Sequence, residues 1–382
     1  MISSDNSYQI RQATVADWPS IADFIARTYG TGAPFKHRAR WDWQFSNGPF
    51  GLDEGQAVPV WIALANGEVV GQVALQPGRL WVQGEALPAG WIVDVMVDER
   101  HRGKGLSHKI TSAMVATGRT LVTLTMAAAT RRMMERAGCI TLPPVKQMVR
   151  PRRLSGRTVA ILLDRLAETR PAWQWPIAVF NKSGIGPAAL AACINGAAAI
   201  ARISPRRRTH PRLQGITSLS AETVHRLSKQ LVATTNASFD RSPAFMKWRF
   251  VEVPDLDYHF AELQGHNGAR SLLVTRDPLP AELAVGTITD LMCDPNDAEA
   301  MAASIDHAIR AMERNCEAII AGASDPRFVS AYAARGFLTV RTHHPTVVSN
   351  DPALLERLSK INGPWHFSKA DHDWDQVHPA DH

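Results

Sequence analysis

The alternation of apolar and polar positions divides the chain into short segments whose periods predict a mixed fold. Tyr8-Gln-Ile-Arg11 alternates with a period of two, and the run through Trp18, Ile21, Phe24 and Ile25 has the three-to-four spacing of an amphipathic helix. Thr14 or Asp17 caps that helix in this reading, because either side chain can accept a hydrogen bond from a first-turn amide. Residues 58–65 and 68–75 read as strands joined by Asn66-Gly67, a dipeptide that tolerates the positive φ angles of a two-residue hairpin turn. Residues 79–82 and 91–97 continue as strands, 106–117 as a helix, 121–128 as a strand and 131–136 as a helix. The order β-α-β-β-β-α-β-α predicts an α/β architecture of the α+β kind, a mixed and largely antiparallel sheet flanked by helices.

Past residue 212 the first half recurs. Trp43-Gln-Phe-Ser-Asn-Gly-Pro49 corresponds to Trp248-Arg-Phe-Val-Glu-Val-Pro254, and Val93-Asp-Val-Met-Val-Asp98 to Thr289-Asp-Leu-Met-Cys-Asp294. Met134-Glu-Arg-Ala-Gly-Cys139 pairs with Tyr332-Ala-Ala-Arg-Gly-Phe337. Three matches in one order and at similar spacing predict a duplicated domain. The expected division is an N-terminal domain over 1–150, an inter-domain insert over 151–212 and a C-terminal domain over 213–382. Within the insert, residues 183–201 are uncharged and lead into Arg202 and the triplet Arg206-Arg207-Arg208. Their Gly, Asn, Ser and Pro content argues against a spanning helix, so a buried inter-domain helix is expected, with peripheral membrane contact as the alternative.

A chain of 382 residues exceeds what one hydrophobic core serves, in keeping with two domains. With 42 Lys+Arg against 36 Asp+Glu the net charge is +6, a mild basicity that permits anionic partners but is not a nucleic-acid-binding composition. Cys139, Cys193, Cys293 and Cys316 form no CxxC pair, which excludes a secreted disulfide framework and a structural zinc. The first residues lack a basic region followed by an apolar run, so a cytoplasmic location is expected. From His366 onward, His366, Asp371, His372, Asp373, Asp375 and His378 are metal-ligand types at spacings that select no geometry. A solvated tail without metal is the expectation, with Trp365 and Trp374 available to pack it onto the second domain.

The feature richest in chemistry is the Asp94-bearing strand running into Arg100-His-Arg-Gly-Lys-Gly-Leu106. A helix N-terminus offers unpaired amides and the positive end of a dipole, glycines let that backbone approach an anion, and Arg100, Arg102 and Lys104 add cationic side chains. A dinucleotide-binding turn is a poorer fit, since only two glycines are present and no strand-borne acid follows about 20 residues on. Arg100-x-x-Gly103-x-Gly105, between an apolar strand and a helix, resembles the Arg/Gln-x-x-Gly-x-Gly/Ala signature of the GCN5-related N-acetyltransferase (GNAT) superfamily. The resemblance spans roughly residues 8–150 and, more faintly, the second half. It implies a splayed mixed sheet, two tandem GNAT-like domains, and acetyl-CoA or another acyl-CoA as co-substrate, without a metal. The contacts it implies come from Val95, Val97, Arg102, Gly103, Lys104, Gly105, Leu106 and Ser107.

Acyl transfer to an amine needs a neutral nucleophile, and Asp94 is the candidate catalytic base, embedded in an apolar run that favours proton uptake. An Asp that only hydrogen-bonds a strand or the substrate is the competing reading. In many members of the superfamily a Tyr four residues before a closing Gly protonates the leaving thiolate; Met134 stands there and cannot. The second copy keeps Tyr332 and Phe337, but Asp294-Pro-Asn-Asp-Ala-Glu299 replaces the glycine loop and would repel a pyrophosphate. The C-terminal domain is therefore expected to be degenerate and to complete the acceptor cleft. Arg38 and Trp41, in a segment with His37, Arg40, Trp43 and Phe45, and Tyr332 are the candidate acceptor contacts.

These readings converge on an acyl-CoA-dependent N-acyltransferase acting on a small-molecule amine. The spacing of Trp365, Asp371 and Asp373 is similar to that in tandem acetyltransferase-like proteins of bacterial surface-polysaccharide pathways, which implies an amino-sugar acceptor. A non-catalytic acyl-CoA sensor and an acyltransferase served by acyl carrier protein, docked on the basic patches, are the alternatives.

Overall fold

The computed structural model describes residues 8–30, 36–50, 56–124, 128–169, 171–202, 211–279, 283–312, 315–361, 363–373 and 375. In the first half, β1 (Gln9–Thr14) leads through helices α1 (Trp18–Tyr29) and α2 (Arg38–Phe45) to β2 (Ala57–Ala65), β3 (Glu68–Val82) and β4 (Glu85–Val97). Helix α3 (Leu106–Val115), β5 (Thr120–Thr123), α4 (Ala128–Arg136), β6 (Ile140–Thr141) and β7 (Val145–Pro151) follow. Three helices come next, α5 (Gly156–Thr169), α6 (Gln174–Lys182) and α7 (Ile185–Arg202). The second half opens with β8 (Gln214–Ile216), α8 (Ala221–Thr234), β9 (Ala237–Phe239), α9 (Pro243–Phe250), β10 (Tyr258–Gly265) and β11 (Gly268–Arg276). It continues with β12 (Val285–Cys293), α10 (Ala298–Met312), β13 (Ala318–Ala323), α11 (Pro326–Ala333), β14 (Leu338–His343), β15 (Thr346–Val348), α12 (Pro352–Ser359) and β16 (Trp365–His366).

Residues 68–75 and 79–82, expected as two strands, are one strand, β3, which pairs with β4 across Pro77↔Gly90 and Gly78↔Ala89. Pro77 is tolerated because β3 has by then run past its pairing with β2 and meets β9 only from Leu80 onward, so no neighbour on that side needs its missing amide.

The two sheets repeat each other. The first has the order β1-β2-β3-β4-β5-β15-β6, and the second, read from its other end, β8-β10-β11-β12-β13-β7-β14. In both, the fourth and fifth strands are parallel and the other neighbours antiparallel. Each half thus hands one strand to the other. Strand β7 lies between β13 and β14, and β15 lies between β5 and β6. A division of the chain at residues 150 and 213 follows the sequence but not the sheets, because β7 and β15 each cross over. Both crossings are made at prolines, Pro143-Pro144 and Pro345, which cannot extend the strand they leave, and Leu142 N donates to Pro345 O at 2.8 Å where the crossings meet.

The repeated Trp segments also meet. The Trp43 and Trp248 rings stack with centroids 4.7 Å apart, and each indole Nε1 donates to the other residue's carbonyl at 2.8 Å. Stacking of this kind adds about 0.5–1.5 kcal/mol beyond area burial, and the reciprocal bonds fix a local two-fold relation between the halves.

Two expectations change. Residues 183–201 are not a buried inter-domain helix. Helix α7 packs through Ala191 against Leu154, Val159, Leu283 and Val285 at the second sheet, while Ile185 is 78% exposed. Nor is the segment from His366 a solvated tail. Trp365, Phe367, Ala370 and Asp371 are buried, and β16 pairs with β9, which pairs with β3. Solvation was the wrong inference because the charges are neutralised by partners distant in sequence. Arg241 Nη1 and Nη2 grip Asp371 at 2.9 Å each, and Arg249 pairs with Asp375. Trp374 and His378 lie outside the described residues.

Candidate functional site

Strands β4 and β5 run side by side only over Ala89–Trp91 and Thr120–Val122, and beyond that they share no paired residues. The divergence follows from a bulge. Ala74 pairs with Val93 and Gln72 with Met96, so one residue of β3 faces two of β4, and Asp94 takes a φ of +51°. Aspartate is among the few side chains that enter the left-handed region at modest cost, and bulges turn a strand and re-aim its side chains. A wedge opens here between the two strands. Val95 and Val97 stay half-buried beside it, partly packed against Leu106 and Ile110.

Beyond Val97 the chain turns through Glu99–His101 into the glycine loop. Gly103 and Gly105 have φ of +76° and +72°, and a Cβ at either would meet nothing within 4 Å. Glycine is therefore required by backbone conformation rather than by crowding. Gly105 is the N-cap of α3, whose first residue, Leu106, is buried, so that Leu106 and Ser107 present backbone amides at the wedge-side helix terminus. Tyr8 OH bonds His101 Nδ1 at 3.0 Å and ties the loop to the sheet.

The loop's two arginines are exposed and held by neighbouring acids. Arg100 reaches Asp98 at 2.8 Å, and its hydrogen bonds hold the Asp98 carboxyl far below the usual range. Arg102 meets Glu99 at 2.9 Å and donates from Nε to Val97 O at 3.2 Å. Exposed pairs of this kind are weak and screened by solvent, so both guanidiniums can exchange to an incoming phosphate cheaply.

At the bulge, Asp94 Oδ1 accepts from Lys36, the residue just ahead of α2, whose Nζ also lies 5.7 Å from the Tyr29 ring centroid. Burial pulls the Lys36 ammonium down, but the charge and hydrogen bond of Asp94 more than restore it, and the net shift is upward. From the other side comes the C-terminal segment. His372 bonds Ile92 O through Nε2 at 3.1 Å and forms an ion pair with Asp373 through Nδ1. Burial alone would discharge this imidazole; Asp373, the Ile92 carbonyl and Asp94 outweigh it and raise its proton affinity. Lys36 and His372 were not singled out as neighbours of Asp94 from the sequence. One signal was available for Lys36: aligning Trp43 with Trp248 sets it over Arg241.

The equivalent wedge of the second sheet is filled. Strands β12 and β13 pair from Val285↔Ala318 to Ile288↔Ala321 and then part. His366, Phe367 and Ser368 lie between them. Phe367 N donates to Ser324 Oγ at 2.8 Å, and Ser324 N donates to Phe367 O at 3.2 Å. Asp290, the counterpart of Asp94, is 1% exposed and receives Arg241 Nε and Ser368 Oγ, each at 2.7 Å. Burial would raise its carboxyl, but Arg241 first, with His366 and Ser368, carries it well below the usual range. Tyr332 lines this second wedge, 3% exposed and edge-on to Phe337 at 5.1 Å, with burial lifting its phenol far above 10.

Of the remaining candidates, Trp41 is in the first core, 4% exposed, and Arg38 covers it from outside with its guanidinium 5.6 Å from the ring centroid. Met134 is fully buried beneath α3, where it offers no proton. A cavity of about 690 Å³, lined by Arg79, Trp81, His225, Lys229 and Asp240, lies at the hairpin end of β3 and β4, the opposite end of β4 from Asp94. Among the described residues no group of three or more His, Cys, Asp or Glu is arranged to hold a metal ion.

A splayed sheet, a bulge acid in the splay and a glycine loop at a helix terminus together define an acyltransferase of the GNAT class. Residues 9–139 match the family model described as an acetyltransferase (GNAT) domain, so the first half of the chain carries a GNAT domain. No curated protein matches the chain by sequence. Among solved structures, a GCN5-related N-acetyltransferase from Anabaena variabilis matches with a TM-score of 0.59 at 11% identity, over 89% of this chain and 72% of that one. A probable N-acyltransferase from Enterococcus faecalis gives 0.57 at 10% identity, over 90% and 72%. Saccharomyces cerevisiae N-myristoyltransferase, solved with myristoyl-CoA and inhibitors, gives 0.56 at 11% identity, over 90% and 80%. At such identities the likeness is one of fold.

Proposed function

We propose that the chain transfers an acyl group from acyl-CoA to the primary amine of a small molecule or amino sugar at the mouth of the β4/β5 wedge. One observation carries the reading: the bulge that opens the wedge is the same residue, Asp94, that offers a carboxylate beside it, and the strand bearing it runs directly into Gly103 and Gly105. In this reading the backbone of Val95 and Val97 pairs with the pantetheine arm. The amides of Gly103, Lys104, Gly105, Leu106 and Ser107 hold the pyrophosphate, with Arg102 released from Glu99 to add charge.

The acceptor amine arrives protonated and must lose a proton before attack. Lys36 already sits on Asp94 Oδ1, so the site accommodates an alkylammonium, and the second carboxylate oxygen is where the acceptor or a relay water would bind. The neutral nitrogen then attacks the thioester carbonyl, the C–S bond breaks, and the nitrogen's remaining extra proton passes through Asp94 to solvent. The thiolate leaves without a protonated partner, because a thiol of pKa about 8.5 is a good leaving group. Acetyl-CoA is the simplest donor, and the fold shared with a protein that holds myristoyl-CoA supports testing longer chains.

A non-catalytic acyl-CoA sensor is the second reading, favoured by the burial of Met134 where a general acid would stand. Free-thiol release from acetyl-CoA through myristoyl-CoA, against polyamines, amino acids and amino sugars, separates the two. The proposal predicts thiol release that depends on one acceptor class. Binding of acyl-CoA without release across the whole panel selects the sensor, and no binding of any acyl-CoA overturns both.

A further inference from the structure

Helices α6 and α7 carry a surface that the reaction does not use. Trp175 and Ile185 are 77% and 78% exposed, and Trp173, Val179 and Phe180 are exposed beside them. Large apolar side chains grouped on the outside of a soluble chain mark a contact site, since scattered singletons are ordinary but contiguous patches are not. The surface is firmly mounted. A Cβ at Gly156 of α5 would lie 3.1 Å from the Ala188 backbone, so α5 and α7 are in close contact. Leu154 and Asn195 exchange hydrogen bonds of 2.8 and 2.9 Å, and Asn181 Nδ2 bonds Asp164 at 2.7 Å.

Composition and geometry identify what would cover it. Between Glu168 and Glu222 the sequence has no acidic residue, while Lys182, Arg202 and the triplet Arg206-Arg207-Arg208 are basic. No single helix among the described residues is long and apolar enough to cross a membrane. Helices α6 and α7 meet at 94°, and their 9 and 18 residues amount to roughly 14 and 27 Å, each short of a hydrocarbon core of about 30 Å. A pair bent at 94°, neither arm of which crosses alone, with two exposed tryptophans and an acid-free basic surrounding sequence, suits the boundary between headgroups and acyl chains.

We infer that the α6–α7 corner docks the protein on the surface of an anionic lipid bilayer, seating Trp173, Trp175, Phe180 and Ile185 among the lipids while Lys182 meets the headgroups. The inference is independent of the reaction assigned to the wedge.

Co-sedimentation of the full chain with phosphatidylcholine vesicles, with and without about three parts in ten of phosphatidylglycerol, tests it. The wild type is expected to pellet with the anionic vesicles, and less so at high salt. The double variant Trp175→Glu with Ile185→Glu should lose at least about tenfold in partition, because two carboxylates replace inserted side chains. Both positions are largely solvent-exposed, so its thermal midpoint should match the wild type. Lys182→Glu, which leaves the apolar face intact, should weaken binding only to the anionic vesicles. A wild type that stays in the supernatant with both vesicles, or a double variant that binds as the wild type does, overturns the inference. So does a wild-type dimer in sedimentation velocity that the double variant dissolves in the absence of vesicle binding, which assigns the face to a second copy of the chain.

Discussion

Lys36–Asp94 and Arg241–Asp290 are the same ion pair in two sheets. In each, a cation just ahead of the repeated Trp helix reaches the acid at the start of the splay between the fourth and fifth strands. Around the first pair the side chains are 13% and 12% exposed, Asp94 has a positive φ, and the wedge adjoins a glycine loop. Around the second they are 1% and 0% exposed, Asp290 has no such φ, and the wedge holds Phe367 and Ser368. The residues after the aspartates follow suit: Val95 and Val97 are half-buried, but their counterparts Leu291 and Cys293 are 2% and 1% exposed. One duplicated framework has thus become a slot in one half and a socket for the chain's own C-terminal segment in the other. That segment goes on from the filled wedge to set His372 against Ile92 at the rim of the other.

The sharpest way to break the comparison is to remove each cation in turn. Arg241→Met strands Asp290 and Asp371 in the interior and should cost about 3–5 kcal/mol of unfolding free energy. Lys36→Met leaves an acid that keeps some contact with solvent, so its cost should be clearly smaller than that of Arg241→Met. Equal costs in denaturant titrations would mean that the two pairs are not differently sealed. The acids should diverge in kind. Asp94→Asn should lower kcat by about 10²-fold or more with acyl-CoA affinity preserved, the usual range for a lost proton acceptor. Asp290→Asn should lower the unfolding midpoint instead. Turnover unchanged in Asp94→Asn would remove that residue from the mechanism.

A subtler signature comes from Lys369, 2% exposed, whose ammonium is brought down to about 7 by burial against the pull of Asp375. The unfolded chain holds this proton up to about pH 10.4, so Lys369's share of stability is complete above that value and is lost as pH falls toward 7. Lys369→Met should flatten that slope in thermal melts between pH 7 and 10. An unchanged slope would show that the segment is not seated as described. The smallest expected effect is at the stacked pair. Trp43→Phe and Trp248→Phe each delete one indole donor and should cost a similar amount, about 1 kcal/mol, whereas unequal costs would argue against the two-fold relation there.

The glycine loop was legible because its requirements are local: a left-handed φ at Gly103 and Gly105, a strand before and a helix after. The repeat was legible because Trp43 and Trp248 stand in similar surroundings. The strand exchange was not, since the alternation in β7 and β15 records that a residue faces a core but not which sheet supplies it. Pro143-Pro144 and Pro345 were the available hint. The C-terminal segment misled because a charge neutralised in the interior and a charge in water look alike in sequence. Asp371 and Asp375 are neutralised in the interior by Arg241 and Arg249, more than a hundred residues away. The aromatic residues Trp365 and Phe367, two apart, were the sign that this stretch had a face to bury.

The central claim, one slot open to acyl-CoA and its twin filled from within, is tested most directly by counting sites. Isothermal titration of the full chain with acetyl-CoA, or with whichever acyl-CoA binds most tightly, should give one site per chain. Binding should weaken by about 30-fold or more in Gly103→Val with Gly105→Val, because a β-branched residue is strained at a positive φ. Two sites per chain, or one site that survives the double glycine substitution, would contradict the account.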